Sequence, residues 1–252
     1  MKKIKILGTD ISVVDSYREA YEEILSLLKN GGTGYVTVNN VHTVVTAVRD
    51  DYYGKIIDAS YLALPDGKPL SVVAKLKGES RISRIFGPTL FEKFLEWGTN
   101  DGIKHFLFGG TKETQEKIKN KILESLPECI IAGTIVPPFK VFTEEENAMF
   151  LDEINASNAD IIWVALGAPK QEKWIYENYK KLNKGIMIGI GAGFDYYAGN
   201  LKHAPAWMKK YSLEWFFRLL QEPGRLWRRY LITNSLFLWY SALEFFGIKK
   251  FD

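Results

Sequence analysis

The sequence predicts an α/β protein, a Rossmann-like and mostly parallel sheet with helices on both faces, followed by a C-terminal helical appendage. Three observations lead there. Apolar runs of strand length recur between residues 34 and 193, and patterns of helical length separate them. The last fifty or so residues instead mix basic and aromatic side chains at helical spacing. Near-continuous apolar strands are those buried on both faces, the mark of a doubly wound sheet.

The elements follow in order. After a short N-terminal segment, a helix is expected near residues 15–30. The strand runs are GYVTVNN (34–40), YLALPDG (61–67), IKHFLFGG (103–110), ECIIAGTIVPPF (128–139), DIIWVALG (160–167) and GIMIGIGAG (185–193). TKETQEKIKNKILESL (111–126) and TEEENAMFLDEINASN (143–158) read as helices between them. No repeat or low-complexity tract interrupts this order. The expected division is an α/β core over residues 1–195 and a basic-aromatic helical appendage over 196–252.

Composition narrows the function classes. The chain has 252 residues, of which 46% are hydrophobic and 25% charged, as in globular and not disordered proteins. Cys129 is the single cysteine, so no internal disulfide forms. With His42, His105 and His203 scattered, no zinc-type ligand cluster is visible. The apolar run in MKKIKILGTDIS is too short for a signal peptide, and a cytoplasmic protein is expected. The net charge of +3 is unevenly placed: Lys202, Lys209, Lys210, Arg218, Arg225, Arg228 and Arg229 against Glu214 and Glu222 give +5. Residues 230–252 balance, which leaves −2 for residues 1–201. An acidic body with a basic, aromatic tail, and no recognition motif, speaks against nucleic acid as a partner.

Ligands of open α/β sheets bind beyond the carboxyl ends of the strands. Six unusual endings fall there: Asn39-Asn40, Pro65-Asp66-Gly67, Gly109-Gly110-Thr111, Pro137-Pro138-Phe139, Gly167-Ala168-Pro169-Lys170-Gln171 and Gly191-Ala192-Gly193-Phe194-Asp195. Pro-Asp-Gly is by itself a turn signature. Its place among these endings favours Asp66 as an acid within reach of substrate.

Each further motif has a functional and a structural reading. Phe108-Gly109-Gly110 with Thr111 as N-cap offers backbone N–H groups to an anion, or is an ordinary strand-to-helix turn. It is not a Walker A loop. Gly189-Ile190-Gly191-Ala192-Gly193 lacks the full dinucleotide spacing and leads into no evident helix, so a nicotinamide site is disfavoured. Asp195 accepts hydrogen bonds from a base or ribose, or caps a turn. Gln171 presents its amide to the cleft, or is a solvated helix residue. Thr37, Asn39 and Asn40 suit sugar hydroxyls and amides, or the asparagines cap the backbone of the next helix. Asp50-Asp51 lie in a helical pattern and do not form the D-x-D pair of metal-dependent enzymes. Without a metal, a leaving diphosphate needs cations and N–H groups, and the spare cations are in the tail.

In the tail, Trp207, Tyr211, Trp215 and Leu219 fall on one side of a helix, and a second helix starts at Pro223 carrying Arg225, Arg228 and Arg229. Residues 230–246 are apolar but broken by Thr233, Asn234, Ser235, Ser241 and Glu244, a poor spanning helix. A helix pair at the bilayer interface fits better, with packing on the sheet as the alternative.

VNNVHTV, LPDG, FLFGGTKE, Pro137-Pro138-Phe139, LGAPKQEKW and the G-x-G-A-x-F-D ending together resemble the WecG/TagA/CpsF glycosyltransferases, family 26, over nearly the whole chain. EPGRLWRRY resembles the C-terminal appendage of the TagA branch. The resemblance implies an inverting transfer of N-acetylmannosamine from its UDP donor without metal or other cofactor. The implied acceptor is N-acetylglucosamine linked through diphosphate to undecaprenol, and the product is the β(1→4) disaccharide of wall teichoic acid linkage. It implies Asp66 as catalytic base, Thr37, Asn39, Gln171 and Asp195 in the substrate pocket, and Arg84 as a further pocket member. Arg218, Arg225 and Arg228 would close over the diphosphate. Self-association of the core and docking on the inner membrane face are also implied. The alternatives are another donor (N-acetylmannosaminuronic acid or glucose) and a non-catalytic membrane-associated nucleotide-sugar binder.

Overall fold

The computed structural model describes residues 1–210 and 213–251; Tyr211 lies outside the described residues. The strands are β1 (Lys3–Ile6), β2 (Thr9–Ser12), β3 (Thr33–Asn39), β4 (Leu62–Pro65), β5 (Lys104–Gly109), β6 (Ile130–Ile135), β7 (Ile161–Ala165) and β8 (Gly185–Gly189). The first helices are α1 (Tyr17–Lys29), α2 (Val41–Arg49), α3 (Asp51–Asp58), α4 (Lys68–Leu76), α5 (Gly87–Asn100) and α6 (Lys112–Ser125). They are followed by α7 (Glu144–Ala156), α8 (Lys170–Asn178), α9 (Gly193–Tyr197), α10 (Ala206–Lys210), α11 (Glu214–Gln221) and α12 (Pro223–Phe245). β1 and β2 form an antiparallel hairpin, and the other strands form a parallel sheet of order β4-β3-β8-β7-β5-β6 flanked by helices. The α/β class read from the apolar runs is the observed one.

The chain divides into two compact units that interleave along the sequence. One comprises Met1–Asp15, Val38–Phe86 and Leu201–Asp252; the other comprises Ser16–Thr37 and Gly87–Asn200. The tail therefore groups with the hairpin and with the segment carrying Asp66.

In the second unit the parallel registers bring strand ends level. Thr37 pairs with Gly189, Val164 with Gly189, Gly109 with Ala165, and Phe108 with Ile135. The glycine-rich endings of β5, β7 and β8 thus share one edge of this unit. The strands hold together because they are apolar throughout: Phe106, Leu107, Ile161, Ile162, Val164, Met187 and Ile188 are all wholly buried. Trp163 packs edge-on against Phe91 at 4.9 Å, and its Nε1 donates to buried His105 Nδ1 at 3.1 Å. Helices start where side-chain caps stand ready: Ser16 accepts from Glu19 N, Thr111 from Thr114 N, and Thr143 with Glu146 completes a capping box.

In the first unit the hairpin turns at Leu7-Gly8, both with positive φ (49° and 78°), as a two-residue hairpin requires. α2 begins at Asn40, whose side chain accepts from the N–H groups of His42 and Thr43 while Thr43 returns the bond. α12 packs on α2 and buries Leu226, Thr233 and Phe237 along one stripe.

Three elements differ from the sequence expectation. The N-terminal segment is a paired hairpin, because Ile6 and Ile11 are both buried. Gly193 does open a helix, the short α9, which Phe194 and Tyr197 pin into the core. Trp207 and Trp215 stand on separate helices, α10 and α11, so their spacing is not that of one continuous helix.

Candidate functional site

Each unit carries a cluster built from the singled-out residues. In the first, β4 delivers Asp66 at its carboxyl end, and Gly67, with φ 107°, breaks the strand before α4. The Asp66 N–H donates to Asn39 O, tying this turn to the end of β3. The Asp66 side chain is 19% exposed, with Arg84 Nε 3.7 Å from its Oδ1. Burial pushes the carboxyl up to about 6, although the charges of Arg84 and Arg218 pull it down. A carboxylate poised there is ionised at neutral pH and still basic enough to take a proton.

Arg84 is shared. It pairs with Glu214 of α11 as well as facing Asp66, and its guanidinium lies over the Phe86 ring at 4.7 Å. Arg218, one turn along α11, lies 3.6 Å from Glu222, and Arg225 binds the same Glu222 through two bonds of 2.9 and 2.6 Å. Tyr230 of α12 faces the cluster, and burial raises its phenol. Arg228 is exposed. Arg229, which the sequence reading did not place at the site, sits inside with its Nε buried and unbonded. The helical phase could have found it: Arg229 falls three residues after Leu226 and four before Thr233, on the buried stripe, whereas Arg228 falls off it.

The tail presents apolar surface beside these charges. Trp207, Trp215, Trp227 and Trp239 are 57%, 43%, 55% and 61% exposed, far above the level of a packed core tryptophan. A groove of about 350 Å³ runs between α11 and α12, lined by Trp215, Leu219, Trp227, Tyr230 and Leu231. Among the described residues no helix is long and apolar enough to cross a membrane, and no group of His, Cys, Asp and Glu could hold a metal ion.

In the second unit, Gly109 and Gly110 take positive φ (116° and 70°) at the end of β5. A Cβ on Gly109 would lie 2.4 Å from Ala165 O, so only glycine lets β5 and β7 approach there. Phe108 itself is wholly buried and stacks on Trp174 at 4.3 Å, so its side chain belongs to the core. Buried Gln115 donates to the carbonyls of Leu107, Gly109 and Ile135 and fixes the same loop from behind, a role that was not evident in the sequence. Gln171 is 4% exposed; its Oε1 accepts from Gly167 N at 3.2 Å and Gly191 N at 3.0 Å, stapling the endings of β7 and β8. The Ala168–Pro169 bond before it is cis. Asp195, in the first turn of α9, accepts from Asn200 Nδ2 at 3.2 Å and lies 3.5 Å from the Thr114 hydroxyl. Thr37 is fully buried at the end of β3, and Asn39 and Asn40 belong to the first unit, Asn40 as the cap of α2.

A parallel α/β sheet with glycine-rich strand ends, and a carboxyl raised by burial beside guanidiniums, are features common at the sites of α/β enzymes. The profile of the glycosyl transferase WecG/TagA/CpsF family matches residues 4–250, and the chain belongs to that family. It is similar to the N-acetylglucosaminyldiphosphoundecaprenol N-acetyl-beta-D-mannosaminyltransferase of Bacillus subtilis (strain 168), 33% identical over 78% of this chain and 74% of the relative. The protein of the same name in Bacillus spizizenii (strain ATCC 23059 / NRRL B-14472 / W23) is 30% identical over 83% of this chain and 82% of the relative.

Proposed function

We propose that the protein is an inverting, metal-independent glycosyltransferase that moves N-acetylmannosamine from UDP-N-acetylmannosamine to the 4-hydroxyl of N-acetylglucosamine linked through diphosphate to undecaprenol. The names of the two relatives support this acceptor and this sugar. The observation that carries the reading is Asp66, a carboxyl raised to about 6 by burial and faced by Arg84 and Arg218.

Asp66 takes the proton of the acceptor hydroxyl as its oxygen bonds the sugar C1 and the C1–O bond to the diphosphate breaks. One displacement inverts the anomeric centre, so a single base is sufficient. UDP departs with the electron pair. Arg218, Arg225 and Arg228 stabilise the charge that builds on the leaving diphosphate, the work a metal ion does in other transferases. In the second unit the N–H groups about Gly109 and Gly110, with Thr37 and Asp195, serve substrate binding, and Gln171 holds the loops around them in place; in the first unit Asn39, Asn40 and Arg84 serve it beside Asp66. The exposed tryptophans of α10–α12, with exposed arginines on α12, dock the appendage on the inner face of the cell membrane, where a polyprenyl acceptor resides. Self-association of the core belongs to the same reading.

The test is UDP release with a lipid-diphosphate acceptor in EDTA. Asp66→Asn is expected to lose about 10²–10⁴-fold in turnover with UDP affinity retained, and to melt no lower than wild type, because the amide relieves a buried charge. Retained turnover in the variant, or no release in EDTA, refutes the proposal. Screening UDP-linked N-acetylmannosaminuronic acid and glucose in the same assay decides the donor.

A further inference from the structure

Among the described residues of the appendage, Arg228 and Arg229 have no carboxylate partner, and of the two only Arg229 is turned away from solvent. Glu222 serves Arg218 and Arg225, and Glu214 serves Arg84. Arg229 has no ion pair among the described residues, its Nε is buried without a hydrogen-bond partner, and desolvation holds its pKa below the usual arginine value. The charges of Arg218 and Arg225 act on it in the same direction. Tyr53 and Tyr230 are also within its electrostatic reach, but a phenol is neutral at pH 7 and supplies no countercharge. His42 stands at the start of α2, the helix against which α12 packs. Its Nδ1 is likewise buried and unbonded, and burial together with the Arg229 charge lowers the imidazole to about 4.

A buried guanidinium without a partner destabilises the fold that contains it. Arg229 adds its charge to those of Arg218 and Arg225, which already share Glu222, an arrangement that becomes favourable when an anion of charge two or more enters. A diphosphate has that charge, and its oxygens match the planar fork of a guanidinium. We propose that Arg229, with His42 beside it, is a diphosphate-binding residue that completes the cluster of Arg218 and Arg225. The assignment of that diphosphate to UDP or to the lipid acceptor rests on the transfer reading above; the anion site itself does not.

The experiment uses the full chain and three probes: inorganic pyrophosphate, UDP and farnesyl diphosphate, each titrated by calorimetry. Arg229→Gln is expected to weaken pyrophosphate about tenfold or more, the usual effect of losing a charge-assisted bond. Lys55→Gln, which removes an exposed charge elsewhere on the same unit, should leave binding unchanged. Weakening of UDP alone assigns the site to the donor, of farnesyl diphosphate alone to the acceptor, and of both to a shared diphosphate position. A melting temperature equal to or above that of wild type marks Arg229 as retained for a ligand. Should the variant fold poorly, the wild-type protein still decides: saturating pyrophosphate should raise the His42 imidazole pKa, read by NMR, by at least one unit. Unchanged affinity for all three probes, or an unmoved His42 titration, overturns the inference. Failure here with Asp66-dependent transfer intact would leave the proposed function standing. Diphosphate binding through Arg229 with turnover indifferent to Asp66→Asn would do the reverse.

Discussion

Glu214→Gln tests whether the electrostatics around Asp66 set the pH range of the enzyme. Arg84 is divided between Glu214 and Asp66, the latter at 3.7 Å, and all three side chains are 25% exposed or less. With an amide at 214 the guanidinium answers to Asp66 alone. At 3.7 Å a full charge pair in an effective dielectric of ~20 is worth roughly 4–5 kcal/mol. Much of that already acts on Asp66, so freeing the shared part adds about a third, close to one pKa unit. Arg218 and Tyr230 face the same carboxyl and are untouched by the change. As the proposed base, Asp66 works ionised, so activity is expected above the folded pKa and lost as pH falls through it. For wild type that acid limb is expected near 6, where burial pushes the Asp66 carboxyl. In Glu214→Gln it is expected about one unit lower, near pH 5, and the weaker base should slow the plateau by about threefold. The assay is kcat/KM for UDP release from pH 4.5 to 8.5. An acid limb that stays put or moves upward would refute the division of Arg84 between the two carboxylates as the control on Asp66.

Two predictions concern stability. His105 is buried with its imidazole lowered to about 4, so its contribution is complete above the unfolded value near 6.5 and is lost as pH falls towards 4. That amounts to about 2 kcal/mol between pH 7 and 5; urea unfolding of His105→Gln should lack it, and an unchanged pH slope would refute the assignment. Gly109→Ala puts a Cβ 2.4 Å from a backbone oxygen at positive φ, whereas Gly167→Ala meets nothing within 4 Å. The first is expected to cost at least about 2–3 kcal/mol and the second about 1 kcal/mol in urea unfolding, since only the first adds a collision to the strain. Equal losses would show that β5 and β7 are not held by that contact.

The sheet was legible because a strand covered on both faces must be apolar along its length, and β5, β7 and β8 appear in the sequence as unbroken runs. Helix starts were legible where a cap is a single local residue, as with Thr111 and Thr143. The hairpin was not, since KIKI and TDIS carry too few apolar positions to reveal that Ile6 and Ile11 face inward. Gln171 illustrates a different limit. Its sequence context suggested an amide offered to a ligand, whereas its oxygen is taken by two N–H groups, 4 and 20 residues away, the second brought there only by the fold. The pairing of Arg84 with Glu214 is equally non-local, and no spacing rule connects residues 130 positions apart.

The two clusters treat their polar groups in opposite ways, and the difference separates support from chemistry. Around β5, β7 and β8 the buried amides of Gln115 and Gln171 bond backbone groups that would otherwise be orphaned, so these residues stabilise loops whether or not a ligand is present. Around Asp66 several groups instead carry a penalty in the free protein. A carboxyl is raised, an imidazole is lowered, and the Nε of a guanidinium is buried without a bond. Each is relieved by the same events: a proton arriving at Asp66 from an incoming hydroxyl, and negative charge collecting where Arg229 stands. A fold that bears such penalties is less stable than it could be, and proteins retain them where the reacting state removes them. The appendage contributes Glu214, Arg218, Arg225 and Arg229 to this arrangement, so the segment that carries the exposed tryptophans also sets the charge around Asp66.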